Sequence, residues 1–277
     1  SYSVRNIPVA DPSESIDVGA FLTFFHLTEV NQVEGRLTMS IYIDLFWKDY
    51  YIHWDPKWCD GIEALFVDPE LLWKPDIQLY NTIGVYEETM DQTSNLWIEY
   101  DNDVWWSRPG AIASACVFDL KSFPFDSQTC NLTFGSFMYD ELMLNFSLYN
   151  YEGMGDTVVR PGFQSLTWEI DSVSAHQVRE VIYGYDFTLL TWQIDMSRYY
   201  GYYISNAILP SLCVTLISLG ALWIPDVQNR LALAVTALLT IVAVQWTVSA
   251  TLPVTESTTW LAEFSNVCIL YVALICG

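Results

Sequence analysis

The histidine side chains and paired carboxylates are the groups of this 277-residue chain best suited to catalysis or metal binding. The three histidines, His26, His53 and His176, have no nucleophile at a catalytic spacing, and no Cys or His pairs stand at zinc-ligand spacing. The acidic pairs Glu87-Glu88 and Asp101-x-Asp103 could bind calcium at an interface, but solvated loop carboxylates are the simpler interpretation. We therefore predict that the chain is not an enzyme and needs no metal and no cofactor.

The cysteines and two asparagines indicate the compartment. Cys116 and Cys130 lie in the polar half of the chain with 13 residues between them, whereas Cys59 stands alone. Three further cysteines lie in apolar runs: Cys213, Cys268 and Cys276. This distribution favours one disulfide and four free thiols. The polar half also holds two Asn-x-Ser/Thr sequons, at Asn131 and Asn145, so we expect an oxidising, extracellular compartment with glycosylation at these sites.

Charge and apolar residues are segregated along the chain. The formal net charge is −22, yet 52% of the residues are hydrophobic. Of the 33 acidic residues, 30 precede Arg198, and Arg230 is the one basic residue that follows it. An aromatic content of 16% excludes a disordered acidic tail, and the negative charge disfavours nucleic acid as a partner.

The part after Arg198 is predicted to enter a lipid bilayer. Residues 199–225 carry no charge, and a helix of this length would extend about 40 Å across a hydrocarbon core of about 30 Å. We predict a first membrane helix over 199–225, a second over 230–250 and part of a third over 262–277. Since the chain ends inside the third apolar run, we expect it to be part of a longer protein.

The part before Arg198 shows the pattern of β-strands. Apolar residues alternate with polar ones from Leu37 to Leu45, which is the period of a half-buried strand. Further strands are predicted over 96–100, 111–120, 131–137, 141–149, 165–176 and 185–196. Turns are predicted at Trp54-Asp55-Pro56, Lys74-Pro75-Asp76, Arg108-Pro109-Gly110 and Arg160-Pro161-Gly162. Short strands without intervening helical periods indicate an all-β, immunoglobulin-like sandwich over residues 1–198, joined without a linker to a helical domain over 199–277.

The second predicted membrane helix has a stripe of small and hydroxylated residues. Steps of four and three along this helix place these side chains on one face: Ala232, Thr236, Leu239, Ala243, Trp246 or Thr247, and Ala250. Such a face suits either close helix packing or a water-filled path. Packing is the commoner explanation, and a pore would require several subunits around an axis. A simple membrane anchor would not need the hydroxyl groups.

Several motifs together resemble the Cys-loop family of pentameric ligand-gated ion channels, in particular its nicotinic-receptor-like members. The segment from Cys116 to Cys130 has the family's spacing and its core Phe123-Pro124-Phe125-Asp126. The other matches are Trp47-x-Asp49-x-x-Ile52-x-Trp54, Trp73-Lys74-Pro75-Asp76, Pro210 in the first span and Leu239 in the second. The resemblance covers almost the whole chain.

This resemblance implies a neurotransmitter-type channel subunit in the plasma membrane. Its N-terminal sandwich would be extracellular, Cys116 and Cys130 would form the disulfide, and four membrane helices would follow, of which two and part of a third are present. Identical or homologous subunits would form a pentamer, with pore-lining residues on the second helix: Asp226, Ala232, Thr236, Leu239, Ala243 and Trp246. The partners would then be other subunits, lipid, ions and a small-molecule agonist.

The resemblance also implies an agonist site between adjacent sandwiches. On the principal side we expect four aromatic residues: Tyr80, Phe137, Tyr183 and Tyr185. On the complementary side we expect Tyr42 and Trp105, with Trp97 beside them. Aromatic faces attract a cationic amine by roughly 0.5–2 kcal/mol per contact.

Two departures leave the ligand and the ion open. The hairpin before the last strand lacks the adjacent cysteines of acetylcholine-binding members, and Phe137 replaces their usual Trp. An amine other than acetylcholine, an amino acid or no small agonist all remain possible ligands. Asn229 precedes Arg230 where cation-selective relatives have Glu and anion-selective relatives usually have Pro-Ala before the basic residue. A ring of Asp226 side chains and the acidic ectodomain favour cations; an anion-selective channel or a non-conducting receptor is the alternative.

For gating, we expect the sandwich to push on the second helix. The contacts would come from the loop 31–34 and the tip Phe123-Pro124-Phe125-Asp126, acting on Leu252-Pro253-Val254-Thr255. Arg198 could pair with Asp126 or with Glu34 of the first loop.

Overall fold

The computed structural model describes residues 2–83, 90–151, 153–250, 252 and 258–276. The described part begins with eleven strands: β1 (Ile16–Asn31), β2 (Arg36–Lys48), β3 (Ala64–Val67), β4 (Ile77–Leu79), β5 (Leu96–Glu99), β6 (Asp103–Ala115), β7 (Ser127–Ser136), β8 (Leu144–Leu148), β9 (Thr157–Val159), β10 (Trp168–Ile182) and β11 (Tyr185–Arg198). It continues with three helices: α1 (Gly201–Trp223), α2 (Val227–Ser249) and α3 (Trp260–Cys276).

The strands form two sheets that enclose one core. The first sheet has the order β3-β5-β6-β2-β1-β8, with β9 also paired to β1, and the second has the order β10-β11-β7-β4. Along β2, Leu37, Met39, Ile41, Ile43 and Leu45 are fully buried, while the residues between them face outward. This alternation turns one face of the sheet toward the core, and the predicted all-β sandwich is confirmed.

The longest strand, β1, was not among the predicted elements. Its residues from Val18 to Phe24 are all buried, so the segment lacks the alternation of a half-exposed strand. Its pairing with β2 is also irregular, with register shifts after Phe24 and after Leu27. Burial on both faces therefore hides this strand from a pattern search.

The predicted turn at Arg108-Pro109-Gly110 is wrong, because these residues lie inside β6 and pair with β2. The Pro109 carbonyl accepts from the Asp91 backbone N–H at 2.8 Å, so the residue's polar backbone edge points away from β2. Because the proline nitrogen faces that same edge, no β2–β6 hydrogen bond is lost. The Arg108 guanidinium is buried and donates to the Ile77 carbonyl at 2.8 Å.

The three helices differ in length. α1 and α2 are each 23 residues long and apolar enough to cross a membrane, whereas α3 is shorter. In α1, the turn Ile204–Ile208 widens to a π-helical form just before Pro210. Such a wide turn accommodates the missing N–H of a proline inside a helix. One face of α2 packs against α1 and α3 through Ala234, Ala237 and Ile241.

The sandwich rests directly on the helices. Phe123, at the tip of the loop closed by the Cys116–Cys130 disulfide, is fully buried among residues of all three helices. The first N–H groups of α3 donate to this loop: Trp260 to the Lys121 carbonyl at 2.8 Å, and Leu261 to the Phe123 carbonyl at 3.2 Å. Free N–H groups at a helix start need such acceptors, so the loop is attached to α3 by both packing and hydrogen bonds.

Candidate functional site

Tyr80 and Phe137 lie at one end of the second sheet, just after β4 and β7. The Tyr80 hydroxyl donates to the Ser136 carbonyl at 2.5 Å. Gly135 allows this approach, because a Cβ there would lie 2.3 Å from Leu189 Cδ2 and 3.1 Å from Tyr80 Cε2. Burial, followed by the negative charges of Asp76 and Glu180, raises the pKa of Tyr80. The same negative potential would favour a cation beside this ring.

One carboxylate holds the loop that carries Phe137. Asp76 accepts hydrogen bonds from the Ser136 hydroxyl at 2.5 Å, the Phe137 N–H at 3.1 Å and the Met138 N–H at 2.7 Å. Since Asp76 also belongs to the chain just before β4, it fixes the Phe137 loop relative to Tyr80. The sequence predicted a turn at Asp76 but not this role.

We expect Asp76→Asn to raise the agonist concentration for half-maximal response about tenfold. The amide cannot accept all three bonds, and a hydrogen bond to a charged group contributes about 1.5–3 kcal/mol. Asp68→Asn is the matched control, because Asp68 accepts from Glu70 N–H in an exposed turn. Concentration–response curves for both variants test this role; equal curves for Asp76→Asn and the wild type would refute it.

Tyr183 and Tyr185 lie on the hairpin between β10 and β11, at the same end of the second sheet. Tyr183 and Gly184 form its two-residue turn with φ of 53° and 87°, the left-handed values of a tight hairpin turn. The Tyr183 side chain is 98% exposed and Tyr185 is 62% exposed. The hairpin is tied to the Phe137 loop where the Glu141 N–H donates to the Asp186 carbonyl at 2.7 Å.

Tyr42 and Trp105 lie on the other sheet and face outward from β2 and β6. Tyr42 packs on Phe25 at 4.4 Å between ring centroids, and the Trp105 indole donates to Asp44 Oδ1 at 3.0 Å. The pKa of Asp44 is raised, because the effect of burial exceeds the opposing effect of the hydrogen bonds that it accepts from Ser107 and Trp105. Trp97 is the register partner of Trp105. Within the described residues, no ring contact joins this group to the tyrosines and Phe137 of the second sheet. One chain therefore presents two separate aromatic surfaces.

The proposed coupling residues surround a buried ion pair. Arg198 donates in a bidentate manner to Asp126, from Nε at 2.6 Å and from Nη2 at 2.9 Å, and both side chains are 2% exposed. Gln32 and Gln128 complete the polar contacts of the pair, at 3.1 Å to Arg198 and 2.6 Å to Asp126. The guanidinium also lies 4.1 Å from the Trp168 ring centroid. Arg198 thus pairs with Asp126 rather than with Glu34.

The other coupling residues are placed as follows. Glu34 pairs with Arg36 at 3.0 Å on the surface. Phe125 packs on Tyr200 and Trp260, with ring centroids 5.3 Å and 5.1 Å away. Pro124 lies between Phe123 and Phe125 in the loop tip. Pro253 lies outside the described residues, as do Val254 and Thr255.

α2 has a packed face and an exposed face. The residues predicted to line a pore are all exposed and lie on the side away from α1 and α3: Ala232, Thr236, Leu239, Ala243 and Trp246. The hydroxyls of Thr236, Thr240 and Thr247 donate to carbonyls four residues earlier in the same helix. Asp226 caps the start of α2 by accepting from the Gln228 N–H at 3.2 Å, and it is exposed. Among the described residues, the stripe is therefore not the face of α2 that packs against the other helices.

The two sequons differ in their surroundings. Asn131 is exposed on β7, whereas the Asn145 amide donates to Asp17 Oδ1 at 2.8 Å. Among the described cysteines, Cys116 and Cys130 form the disulfide, and Cys59, Cys213 and Cys268 are free.

Comparison with known proteins identifies the family. The family model described as "neurotransmitter-gated ion-channel ligand binding domain" matches residues 1–200, which is most of the chain. The chain belongs to the neurotransmitter-gated, Cys-loop channel family. Members of this family are receptors and not enzymes, and they lie in the plasma membrane with the ligand-binding domain outside the cell.

Individual relatives give the same assignment. The chain is 29% identical to neuronal acetylcholine receptor subunit alpha-9-I of Oncorhynchus mykiss over 269 residues, covering 95% of this chain and 46% of the relative. It is 29% identical to subunit alpha-6 of Mus musculus, covering 90% and 50%, and 28% identical to subunit alpha-10 of Rattus norvegicus, covering 95% and 59%. The chain thus spans about half the length of these relatives.

Proposed function

We propose that this chain forms the ligand-binding and pore-lining part of an agonist-gated cation channel subunit. The observation that carries the proposal is the division of the aromatic residues between two sheets. Tyr80 and Phe137 stand on one, and Tyr42 and Trp105 on the other. A site that uses both surfaces requires two neighbouring chains, and repetition of that contact around an axis gives a ring. We take the ring to be a pentamer, as the family resemblance implies.

The chemistry of the principal surface favours an amine agonist. Phe137, Tyr183 and Tyr185 expose their rings, and the negative charges of Asp76 and Glu180 act on Tyr80. Aromatic faces with a negative potential stabilise an organic cation. The relatives are named acetylcholine receptor subunits, but the hairpin tip here consists of Tyr183 and Gly184 and lacks adjacent cysteines. The agonist is therefore proposed to be an organic amine, with acetylcholine as one member of that class to be tested.

The proposed gating path follows the contacts at the junction. β11 ends at Arg198, whose partner Asp126 belongs to the same loop tip as Phe123. Phe123 lies in an apolar cluster with Leu261 of α3 and with Val244 and Val248 of α2. A movement of β11 or of this loop would reach the pore helix through side chains already in contact.

Cation selectivity is proposed from charge. The ectodomain carries most of the 33 acidic residues, and Asp226 would place a ring of carboxylates at the inner end of the pore. Both would raise the local concentration of cations within a Debye length of about 8 Å.

Cysteine substitutions along α2 test whether its exposed face lines the pore. In a full-length receptor with Cys59→Ser and Cys213→Ser, we expect Thr236→Cys and Ala243→Cys to react with a cationic thiosulfonate and lose agonist-evoked current. Ala237→Cys, on the packed face, is the control and should not react. Equal reaction at all three positions, or none at the exposed two, would contradict the proposed pore face.

A further inference from the structure

An aromatic groove lies on the outward face of the first sheet and shares Trp105, but not Tyr42, with the proposed complementary surface. It encloses about 930 Å³, near the upper end of the roughly 300–1,000 Å³ typical of small-molecule pockets. It is lined by residues of β1, β2, β5, β6 and β8, together with the segment before β1 and the segment after β8. Its lining includes Phe46, Lys48, Trp97, Trp105, Tyr149 and Tyr151.

The rings in this groove form a continuous layer around Phe46. Tyr149 stacks on Phe46 with ring centroids 4.0 Å apart and an interplanar angle of 14°, and Trp105 lies nearly parallel to it at 6.4 Å and 6°. The Tyr151 ring centroid lies 6.3 Å from that of Phe46, with the two planes tilted by 43°. Tyr149 and Trp105 remain 37% and 40% exposed, so ring surface is available for a ligand.

These rings are fixed before any ligand arrives. Gly19 makes room for Tyr149, because a Cβ at Gly19 would lie 3.0 Å from Tyr149 Cδ2. The Tyr149 N–H donates to the Ala20 carbonyl at 2.8 Å. The indole of Trp105 is held by Asp44, and that of Trp97 donates to Glu99 Oε1 at 3.0 Å. A preformed wall lowers the entropy cost of binding.

The charges that line the groove are mostly negative. Four carboxylates belong to the lining: Glu14, Asp17, Glu99 and Asp103. The one ammonium group in the lining is that of Lys48, which pairs with Asp103 at 2.8 Å. Flat ring faces combined with an excess of carboxylates attract a cation that also has an apolar body.

We propose that this groove binds an aromatic organic cation, such as an aryl ammonium compound, at a site within one subunit. It uses none of the principal-side residues Tyr80, Phe137, Tyr183 and Tyr185, although Trp105, with Trp97 beside it, also belongs to the complementary side of the proposed agonist site. Binding here does not depend on channel activity, so it can be tested even if the proposed agonist response fails.

The test measures binding of phenyltrimethylammonium to the purified full-length protein by calorimetry, with tert-butylbenzene as the uncharged isostere. We expect Tyr149→Leu to weaken binding of the cation to one class of sites by about tenfold, and Tyr149→Phe to retain it, since one ring face contributes up to about that factor. Phe137→Leu should leave this class unchanged. Thermal unfolding of each variant separates a lost site from a lost fold.

Several results would overturn the proposal. One is equal affinity for the cation and its uncharged isostere. Another is loss of all cation binding in Phe137→Leu, which would assign the cation to the agonist site alone. A third is failure of a cationic maleimide to label Ser15→Cys in the assembled receptor, since Ser15 lines the groove and a neighbouring subunit would then cover it. If the maleimide labels Ser15→Cys and phenyltrimethylammonium blocks that labelling, the result supports the proposal.

Discussion

Arg198→Gln is expected to remove most of the receptor from the cell surface by destabilising the junction between the sandwich and the helices. The Asp126 carboxylate would lose both of its bonds to the guanidinium while staying 2% exposed. Removing one partner of a buried ion pair costs about 3–5 kcal/mol, which is a large part of the stability of a typical domain. The rings of Trp168 and Phe123 would also lose their contact with the guanidinium, whose Cζ lies 4.1 Å and 4.8 Å from their ring centroids. Surface labelling and thermal unfolding measure the effect.

The controls separate a buried pair from an ordinary surface pair. Asp126→Asn combined with Arg198→Gln should recover part of the lost stability, because no unpaired charge then stays buried. Arg36→Gln breaks contacts with Glu29 and Glu34 on a side chain that is 32% exposed, so it should change stability by less than about 1 kcal/mol. If Arg36→Gln and Arg198→Gln lower surface expression equally, the junction does not depend on this pair.

Leu239→Ser is expected to open the channel at about tenfold lower agonist concentration and to produce current without agonist. In a ring of subunits, the exposed Leu239 side chains would form an apolar constriction that excludes water when closed. A tenfold shift corresponds to about 1.4 kcal/mol, which is less than the roughly 1.5–3 kcal/mol of hydrophobic free energy of one leucine side chain. Voltage-clamp recording of resting and agonist-evoked current measures both effects.

Leu231→Ser is the matched control for the gate. Leu231 is also exposed on α2, two turns closer to its start, so it should alter agonist sensitivity much less. Equal effects of the two substitutions would indicate a general loosening of α2, and unchanged resting current in Leu239→Ser would place the gate elsewhere.

The β-sandwich could be predicted where one face of a strand meets water. β2 shows strict alternation because its outward residues, such as Tyr42, are not covered by another layer. β1 could not be predicted because both of its faces are covered between Val18 and Phe24. Pro109 indicated a turn, since the sequence does not show on which side of β6 its missing N–H would lie.

Some functional residues could likewise be predicted from the sequence, and others could not. The family resemblance implied the Cys116–Cys130 disulfide, which the structure contains, and implied positions for Tyr80 and Phe137 in a ligand site. The carboxylate of Asp76 and the amide of Gln32 were not predicted, because their partners lie on distant segments. The aromatic groove was also not predicted, since Tyr149, which follows β8, reaches Phe46 of β2 across strand β1, over the space left by Gly19. Local patterns carry no information on such contacts.

The small and hydroxylated stripe of α2 suited either helix packing or a water-filled path, and the packing of the helices distinguishes between the two faces of α2. Ala234, Ala237 and Ile241 contact the other helices, whereas Thr236, Leu239 and Ala243 do not form that packed cluster. The threonine hydroxyls bond within α2 itself, so they would be tolerated in lipid as well as in water. The assignment of a pore therefore depends on the exposure of the α2 face that carries Thr236, Leu239 and Ala243, and on the assembly of several subunits around it.

The most direct test of an agonist-gated cation channel is the reversal potential of the current that an amine evokes in the full-length receptor under voltage clamp. Replacing external sodium by a large impermeant cation should shift this potential to negative values, and replacing chloride by a large anion should leave it unchanged. A shift with chloride alone would show an anion channel. Absence of current with every amine and amino acid tried, in Leu239→Ser as well as in the wild type, would contradict the channel function.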